Sequence, residues 1–139
     1  MAKNRNDFQR LAELRLIEAR FLLNAGFPNG ACYLAGYAVE CALKACIAKG
    51  AQQHDFPDKK LVEKSYTHDV EILLDAAGMS DTLKMVHAQP RGLKLDWENV
   101  REWSEQSRYE TKSVQVATAL LKAVEDQAEG LLPWIRLSW

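Results

Sequence analysis

The pattern of hydrophobic and polar positions is most informative between Asn29 and Gly50, where apolar residues occupy nearly every side of one predicted helix. A run of about twenty residues between the turn-like Pro28-Asn29-Gly30 and Gly50 makes a helix of roughly 30 Å. Because it is apolar nearly all round, we predict that it is the buried central helix of the fold. One stripe along it is polar, with members four, three and four residues apart: Tyr33, Tyr37, Glu40 and Lys44.

A first helix is predicted before the central one, with its cap at Asn6 or Asp7 and its end at about Asn24, before Gly26. Its main apolar face has Arg15 near the middle. A second apolar strip lies nearly opposite, and it exceeds what one helix contact needs. Two interpretations of the strip stay open: an interface between two copies of the chain, or a face covered by flanking segments. The strip consists of Leu14, Ile17 and Phe21.

The last long helix is predicted to begin after a cap at Ser113, with apolar positions at helical spacing until Gly130 and Pro133 end it. The apolar tail that follows contains Trp134 and Trp139. We expect both rings to pack on the bundle or on a partner, because two exposed tryptophans at a terminus are unusual.

Short helices are predicted between the central helix and the last one. Pro57 interrupts the connector, which we expect to be a loop with a short turn near Leu61. Thr67 and Ser80 are the expected caps of two short helices, the second reaching about residue 88. Asp96 is the expected cap of the tryptophan-containing turns that follow.

These elements predict an all-α fold, an up-and-down helical bundle of four main helices plus short helices, since no strand-like alternation interrupts the pattern. The 139 residues suit one domain, which we predict to span residues 1–139. Hydrophobic residues make up 47% and charged residues 27%, and no apolar signal segment is recognisable, so we expect a cytoplasmic protein without a membrane segment. With 18 basic against 19 acidic residues, any anion site must be local.

Templates for enzymes and metal sites are missing from the sequence, which has no Gly-rich phosphate loop, no HExxH and no GxSxG. The three cysteines, without CxxC spacing, are predicted to be buried free thiols. We predict no metal and no cofactor, because the three histidines belong to separate segments. For His68 the simplest interpretation is local hydrogen bonding in the first turn of a helix. The residues concerned are Cys32, Cys41, Cys46, His54, His68 and His87.

Glu40 and Lys44 form a pair four residues apart, which at a surface contributes only about 0.2–0.5 kcal/mol. On a buried helix the two charges need further partners or a solvent-filled cleft, because each unpaired ion is expensive to desolvate. Arg15 and Arg108 are the candidate third members. We predict a polar network that fixes helix register, with a ligand or catalytic site as the alternative.

Arg108-Tyr109 is a second polar point, in a region rich in aromatic residues. Arginine can donate two parallel hydrogen bonds to a phosphate, and Trp103 or Tyr109 could stack on a base. The alternative is a structural anchor, in which the arginine binds backbone carbonyls above a tryptophan-filled core. Both interpretations stay open.

Together these segments resemble the HEPN-domain family, and the resemblance covers nearly the whole chain. It implies a small helical bundle that usually forms homodimers. Many members are partners of minimal nucleotidyltransferases in prokaryotic operons, in a setting like that of toxin-antitoxin pairs; others are metal-independent ribonucleases, and some bind nucleotides. The segments are YLAGYAVECALKACIAKG at 33–50, Phe56-Pro57, Thr67-His68-Asp69, Trp97, Trp103 and Arg108-Tyr109.

The ribonuclease branch of that family carries an arginine, one further residue, three variable residues and a histidine, in a cleft at the dimer interface. The resemblance places Arg108 at the arginine position and Ser113 where the histidine should stand. Serine cannot replace imidazole as an acid or base near neutral pH, whereas arginine could still hold a phosphate. His68 would be the replacement from another element.

We therefore predict a non-catalytic homodimeric module that binds a nucleotide, RNA or a partner protein such as a minimal nucleotidyltransferase. The alternative is a metal-independent ribonuclease or nucleotide-processing enzyme that uses Arg108 and His68 with Glu40 or Lys44. A dimerisation module whose polar residues are all satisfied internally is a third hypothesis. The predicted ligand contacts are Arg108, Tyr109, Lys44, Glu40 and Tyr37.

Overall fold

The computed structural model describes residues 1–51, 56, 58–85 and 91–139, and these residues form helices and no strand. Four long helices, α1, α2, α6 and α7, are accompanied by short ones, which confirms the predicted all-α bundle. In chain order the elements are α1 (Arg5–Asn24), α2 (Pro28–Gly50), α3 (Lys59–Ser65), α4 (Val70–Ala76), α5 (Ser80–Lys84), α6 (Arg91–Arg101), the 3-10 helix η1 (Glu105–Tyr109), α7 (Val114–Glu125) and α8 (Leu131–Arg136).

The centre of the bundle is α2, as its apolar pattern predicts. It begins at Pro28, whose missing N–H costs nothing in a first helical turn. By length and composition α2 could cross a membrane, but 72% of the relevant window is buried within the protein, as in a core helix. The other long helix of the first half, α1, packs along it, while α4, α7, α8 and η1 contact its other sides.

The ends of α1 show how close polar residues compete as caps. The cap is Asn4, not Asn6 or Asp7, because the Asn4 side chain accepts a hydrogen bond from the backbone N–H of Asp7. At the other end Gly26 adopts the left-handed conformation, with φ of 87°, and stops the helix as predicted.

The connector after α2 differs from the predicted loop with a short turn. Asp58 caps a two-turn helix, α3, which contains Leu61. The next cap is Asp69, not Thr67, because the Asp69 carboxylate accepts from two backbone N–H groups of the first turn of α4. His68 consequently precedes α4 instead of lying in its first turn. Pro57 is outside the described residues.

Two further boundaries in the middle of the chain differ from the sequence prediction. Ser80 is the first residue of α5 and not its cap, and the predicted extension of this helix to residue 88 falls outside the described residues. Asp96 lies inside α6, since the helix already begins at Arg91. Burial, with the nearby Asp126 and Glu129 carboxylates, raises the pKa of Asp96 to about 6.

The last long helix, α7, begins as predicted, since the Ser113 hydroxyl accepts from the backbone N–H of Val116. It ends at Glu125 and not at Gly130, because the Asp126 side chain accepts from the next backbone N–H groups and turns the chain. The short helix α8 follows, and Pro133 lies inside it rather than ending α7.

The C-terminal tail packs back on the bundle, one of the two expected outcomes. Trp134 and Trp139 are partly buried against the core. Arg136 donates two hydrogen bonds to the Glu13 carboxylate on α1, and its guanidinium lies 5.9 Å from the centre of the Trp139 ring. The tail therefore closes the end of the bundle against α1.

Candidate functional site

The buried carboxylate of Glu40 is the first candidate feature, because the residue is only 1% exposed. Its Oε1 atom accepts a hydrogen bond from Lys44 Nζ at 2.9 Å. The same oxygen lies 3.0 Å from Nδ1 of His68, in the turn before α4. The predicted pair is thus present in a buried polar contact, and its third member is a histidine.

The second nitrogen of the same imidazole faces another carboxylate. Nε2 of His68 lies 3.4 Å from Oε2 of Glu105, the first residue of η1. About half of the His68 side chain is exposed, whereas the Lys44 side chain is 15% exposed. We call the four side chains the Glu40 network: Lys44, Glu40, His68 and Glu105. This network joins α2 to the turn before α4 and to η1.

Arg15 is not a member of the Glu40 network, although the sequence made it a candidate. It forms an ion pair with Glu18 on its own helix, and its guanidinium lies 6.0 Å from the centre of the Tyr37 ring. The sequence grouped His68 with Glu40 or Lys44 only within the enzyme hypothesis, because a contact across 28 residues gives no helical-spacing signal. The available signal was the polar turn Thr67-His68-Asp69, which holds the ring just outside α4.

Trp103 supplies a further contact beside the network. A Cβ atom added at Gly36 would lie 2.3 Å from three atoms of the Trp103 ring, so this side of α2 accepts the ring only because residue 36 is glycine. Within the described ranges, the buried indole Nε1 of Trp103 and the buried Oε2 of Glu40 have no hydrogen-bond partner. One is a donor and the other an acceptor.

Arg108 and three tyrosines form the second candidate feature. The Tyr33 and Tyr37 rings stack with centres 6.2 Å apart and planes 5° apart. The Arg108 guanidinium lies 4.9 Å from the centre of the Tyr109 ring, which is 74% exposed. Hydrogen bonding to the Tyr109 and Tyr33 side chains raises the pKa of Arg108, so this cation lies close to both rings. We call the set the tyrosine face: Tyr33, Tyr37, Arg108 and Tyr109.

The charge of Arg108 is not neutralised by a neighbouring carboxylate in the part of the chain that the structure describes. Arg20, Arg101 and Arg136 each pair with a glutamate. Arg108 instead stacks on a tyrosine and is exposed. The tyrosine face therefore offers a guanidinium without a carboxylate partner among the described residues, beside an exposed ring, a combination suited to an anion with an attached planar group.

The five proposed ligand contacts are not gathered in one place. Glu40 is too buried to touch a ligand, and Lys44 is bound to it. The other three, Tyr37, Arg108 and Tyr109, belong to the tyrosine face. The predicted set of ligand contacts is thus divided between the buried Glu40 network and the accessible tyrosine face.

Ser113, which stands at the histidine position of the ribonuclease pattern, has a structural role here. Its hydroxyl caps α7 and is therefore engaged by a backbone N–H. Of the three histidines, the structure describes only His68, because His54 and His87 lie outside the described residues. His68 is thus the one histidine in the part of the chain that the structure describes.

A groove of about 430 Å³ runs beside His68, and four of its ten lining residues are acidic. Arg101 also lines the groove, and it is paired with Glu71 and Glu98. Clustered carboxylates repel a polyanion, so this groove is a poor place for RNA. The acidic residues that line it are Asp69, Glu71, Glu102 and Glu105.

The cysteines are the predicted buried free thiols. Burial raises the pKa of Cys41 to about 12 and that of Cys46 to about 11, and it raises the pKa of Cys32 as well. A thiol that stays protonated is a poor nucleophile and a poor metal ligand. Among the residues described, no three His, Cys, Asp or Glu side chains are arranged to hold a metal ion.

Comparison with known families assigns the fold. The chain matches the HEPN domain over residues 6–134, which is nearly its whole length, and it therefore belongs to the HEPN domain family. This confirms the resemblance drawn from the central helix and the later polar motifs. Comparisons with curated proteins and with solved structures gave no significant match.

Proposed function

We propose that this protein is a non-catalytic HEPN module that binds a nucleotide or a short RNA at the tyrosine face. The observation that carries the proposal is the exposed guanidinium of Arg108, stacked on Tyr109 and free of any carboxylate partner among the described residues. A cation left open in this way, on a chain with a formal charge of −1, is a local anion site.

The members of the tyrosine face would act in different ways. Arg108 donates paired hydrogen bonds to a phosphate. Tyr109 presents a ring on which a base stacks, a contact that contributes about 1–3 kcal/mol per base in single-stranded complexes. Tyr33 and Tyr37 continue the aromatic surface along α2.

The test of this proposal is the affinity for a labelled short RNA and for a panel of nucleoside triphosphates. Arg108→Ala should weaken binding by about tenfold or more, because it removes a charge-assisted bidentate contact. The matched control is Arg20→Ala, since Arg20 is also exposed but pairs with Glu125. An intact protein that binds none of these probes, or equal losses in both variants, would overturn the proposal.

The same proposal includes assembly. We propose that the module is a homodimer and that a minimal nucleotidyltransferase is a further partner, as membership of the family suggests. The exposed strip on α1, formed by Leu14, Ile17 and Phe21, supports self-association. A nucleotidyltransferase gene next to the gene for this chain would support the partner, and co-purification of the two proteins would test it.

A second candidate function is a metal-independent ribonuclease, favoured by one observation. Glu40 orients the half-exposed ring of His68, as a carboxylate does for a catalytic histidine. This hypothesis predicts RNA degradation in EDTA that is lost in both Arg108→Ala and His68→Ala. Activity that survives both changes would eliminate it. The acidic groove beside His68 counts against this function, because it repels the RNA backbone.

A further inference from the structure

His68 is in contact with two carboxylates, and only one protonation state satisfies both. A neutral imidazole has one N–H and one lone pair, whereas an imidazolium donates from both nitrogens. Nδ1 faces Glu40 at 3.0 Å and Nε2 faces Glu105 at 3.4 Å. When the ring loses a proton, one of these contacts becomes a lone pair facing a carboxylate.

The contact with Glu105 is the one that should be lost. Glu40 is 1% exposed, and a buried carboxylate that gives up a donor receives no water in exchange. The Glu105 side chain is 40% exposed and can turn to solvent or to another cation. A neutral His68 therefore keeps its N–H on Glu40 and releases Glu105.

The other charged groups around the ring are already engaged or more distant. On α2, Lys44 donates to Glu40. On the α4 side, Asp69 caps its helix and Glu71 faces Arg101. Glu102, after α6, lines the same groove without an ion-pair contact to the ring.

A second cation, Arg108, belongs to the same helix as Glu105. Glu105 and Arg108 are three residues apart in η1, and side chains with that spacing eclipse each other in a 3-10 helix. Glu105 can therefore alternate between the imidazolium of His68 and the guanidinium of Arg108. In the structure it lies against His68, and Arg108 is free.

We propose that protonation of His68 controls access to Arg108, so that the tyrosine face binds its anionic ligand more tightly at lower pH. This regulation rests on the proposed function. With charged His68, Glu105 is held away and Arg108 is open to a phosphate. With neutral His68, Glu105 pairs with Arg108 and competes with the ligand.

The direct test measures the affinity for a short RNA between about pH 5.5 and 8, the range in which histidine changes charge. Internal phosphodiesters keep their charge in this range, so a change in affinity reports on the protein. Wild-type affinity should fall by about threefold to fivefold as the pH rises, the scale of one exposed ion pair. Glu105→Gln should bind at the upper pH as tightly as wild type at the lower pH.

Two further variants make the test decisive. His68→Gln should bind weakly at every pH, and His68→Gln with Glu105→Gln should recover tight, pH-independent binding. A Glu105→Gln variant that keeps the wild-type pH profile would overturn the switch. Circular dichroism of each variant verifies that the helices are intact.

The switch is also measurable without any ligand, so that its failure is separable from that of the proposed function. Double-mutant cycles on unfolding should show coupling between His68 and Glu105 near pH 5.5 that is lost near pH 8. The coupling between Glu105 and Arg108 should change in the opposite direction. Couplings that do not depend on pH would refute the switch even if RNA binds, and no RNA binding with both couplings present would refute only the proposed function.

Discussion

At the scale of single residues, Glu40 is a buried charged side chain whose position depends on its partners. Its carboxylate is almost fully buried on an otherwise apolar helix, and such a charge is tolerated only with close partners. Lys44 and His68 both contact one of its oxygens. The arrangement ties the position of the turn before α4 to α2, and through Glu105 it extends this constraint to η1.

Glu40→Gln should therefore lower the free energy of unfolding by about 3–5 kcal/mol, the usual cost of breaking a buried ion pair from one side. The change leaves the Lys44 ammonium, which is 15% exposed, without its carboxylate. Urea denaturation followed by circular dichroism measures the loss. Adding Lys44→Met should restore part of the stability, since the remaining buried charge is then gone.

The matched control for this prediction is Glu63→Gln on α3. Glu63 also pairs with a lysine four residues away, Lys59, but both side chains are mostly exposed and their charged atoms are 3.9 Å apart. We expect a change of at most about 0.5 kcal/mol there. If Glu40→Gln were no more damaging than Glu63→Gln, or if it abolished RNA binding with full stability, Glu40 would belong to an open cleft and not to a buried network.

At the scale of elements, the contact between α2 and the segment before η1 depends on residue 36 being a glycine, which has no side chain. Trp103 is 6% exposed and lies flat against Gly36, so its ring cannot withdraw from an added methyl group. This close approach places η1, and with it Arg108, beside the polar stripe of α2.

Gly36→Ala should destabilise the protein by about 1–3 kcal/mol through overpacking. The loss should occur although alanine is the better helix former by about 1 kcal/mol. Gly50→Ala, at the open end of the same helix, has no atom within 4 Å of the added Cβ and should be neutral or slightly stabilising. Thermal unfolding of both variants measures the difference, and equal melting temperatures would show that the ring moves freely.

The sequence predicted long helices better than short ones, because more residues contribute to the pattern of a long helix. The long helices α1, α2 and α7 were recognisable because their apolar spacing repeats over several turns. The ends of these helices were less certain, because neighbouring residues such as Asn4 and Asn6 have the same capping side chain. The backbone conformation decides which of them is the cap, and at Asn4 the backbone is extended. The two-turn helix α3 offered too few apolar positions for any pattern.

The Glu40 network was predictable from spacing only where its members share one helix. Spacing alone placed Glu40 and Lys44 together, and the structure confirms their contact. The third member required knowledge of tertiary packing, because His68 comes from another element. Arg15 was predicted as a partner of Glu40 because it lies on the apolar face of its helix. It pairs instead with Glu18, which is three residues away on the same helix.

At the scale of the whole molecule, a formal charge of −1 conceals two different surfaces, and both include a residue of η1. The groove beside His68 is rich in carboxylates, whereas the tyrosine face carries the free guanidinium of Arg108. Because η1 contributes Glu105 to one surface and Arg108 to the other, a small movement of this single 3-10 helix affects both. This is the geometric basis for coupling a proton to an anion.

A third surface, the apolar strip on α1, is not covered by any segment that the structure describes. Leu14, Ile17 and Phe21 are 45%, 47% and 73% exposed. Two charged neighbours on α1 are paired within the chain, Glu13 with Arg136 and Arg20 with Glu125, whereas Arg10 is exposed on the same side of the helix as the strip. The exposure of three large apolar side chains in one strip favours the interpretation as an interface between two copies.

Sedimentation analysis at micromolar concentration should accordingly give a species of twice 15.7 kDa. Phe21→Glu should shift it toward the monomer, because two carboxylates would be buried near the symmetry axis of the dimer. Leu95→Glu on α6 is the matched control, since Leu95 is similarly exposed, at 68%, but lies on another helix. A wild-type monomer, or equal dissociation in both variants, would show that the strip is not the interface. If the strip is the interface, RNA affinity should survive in the Phe21→Glu monomer, because all four members of the tyrosine face belong to one chain.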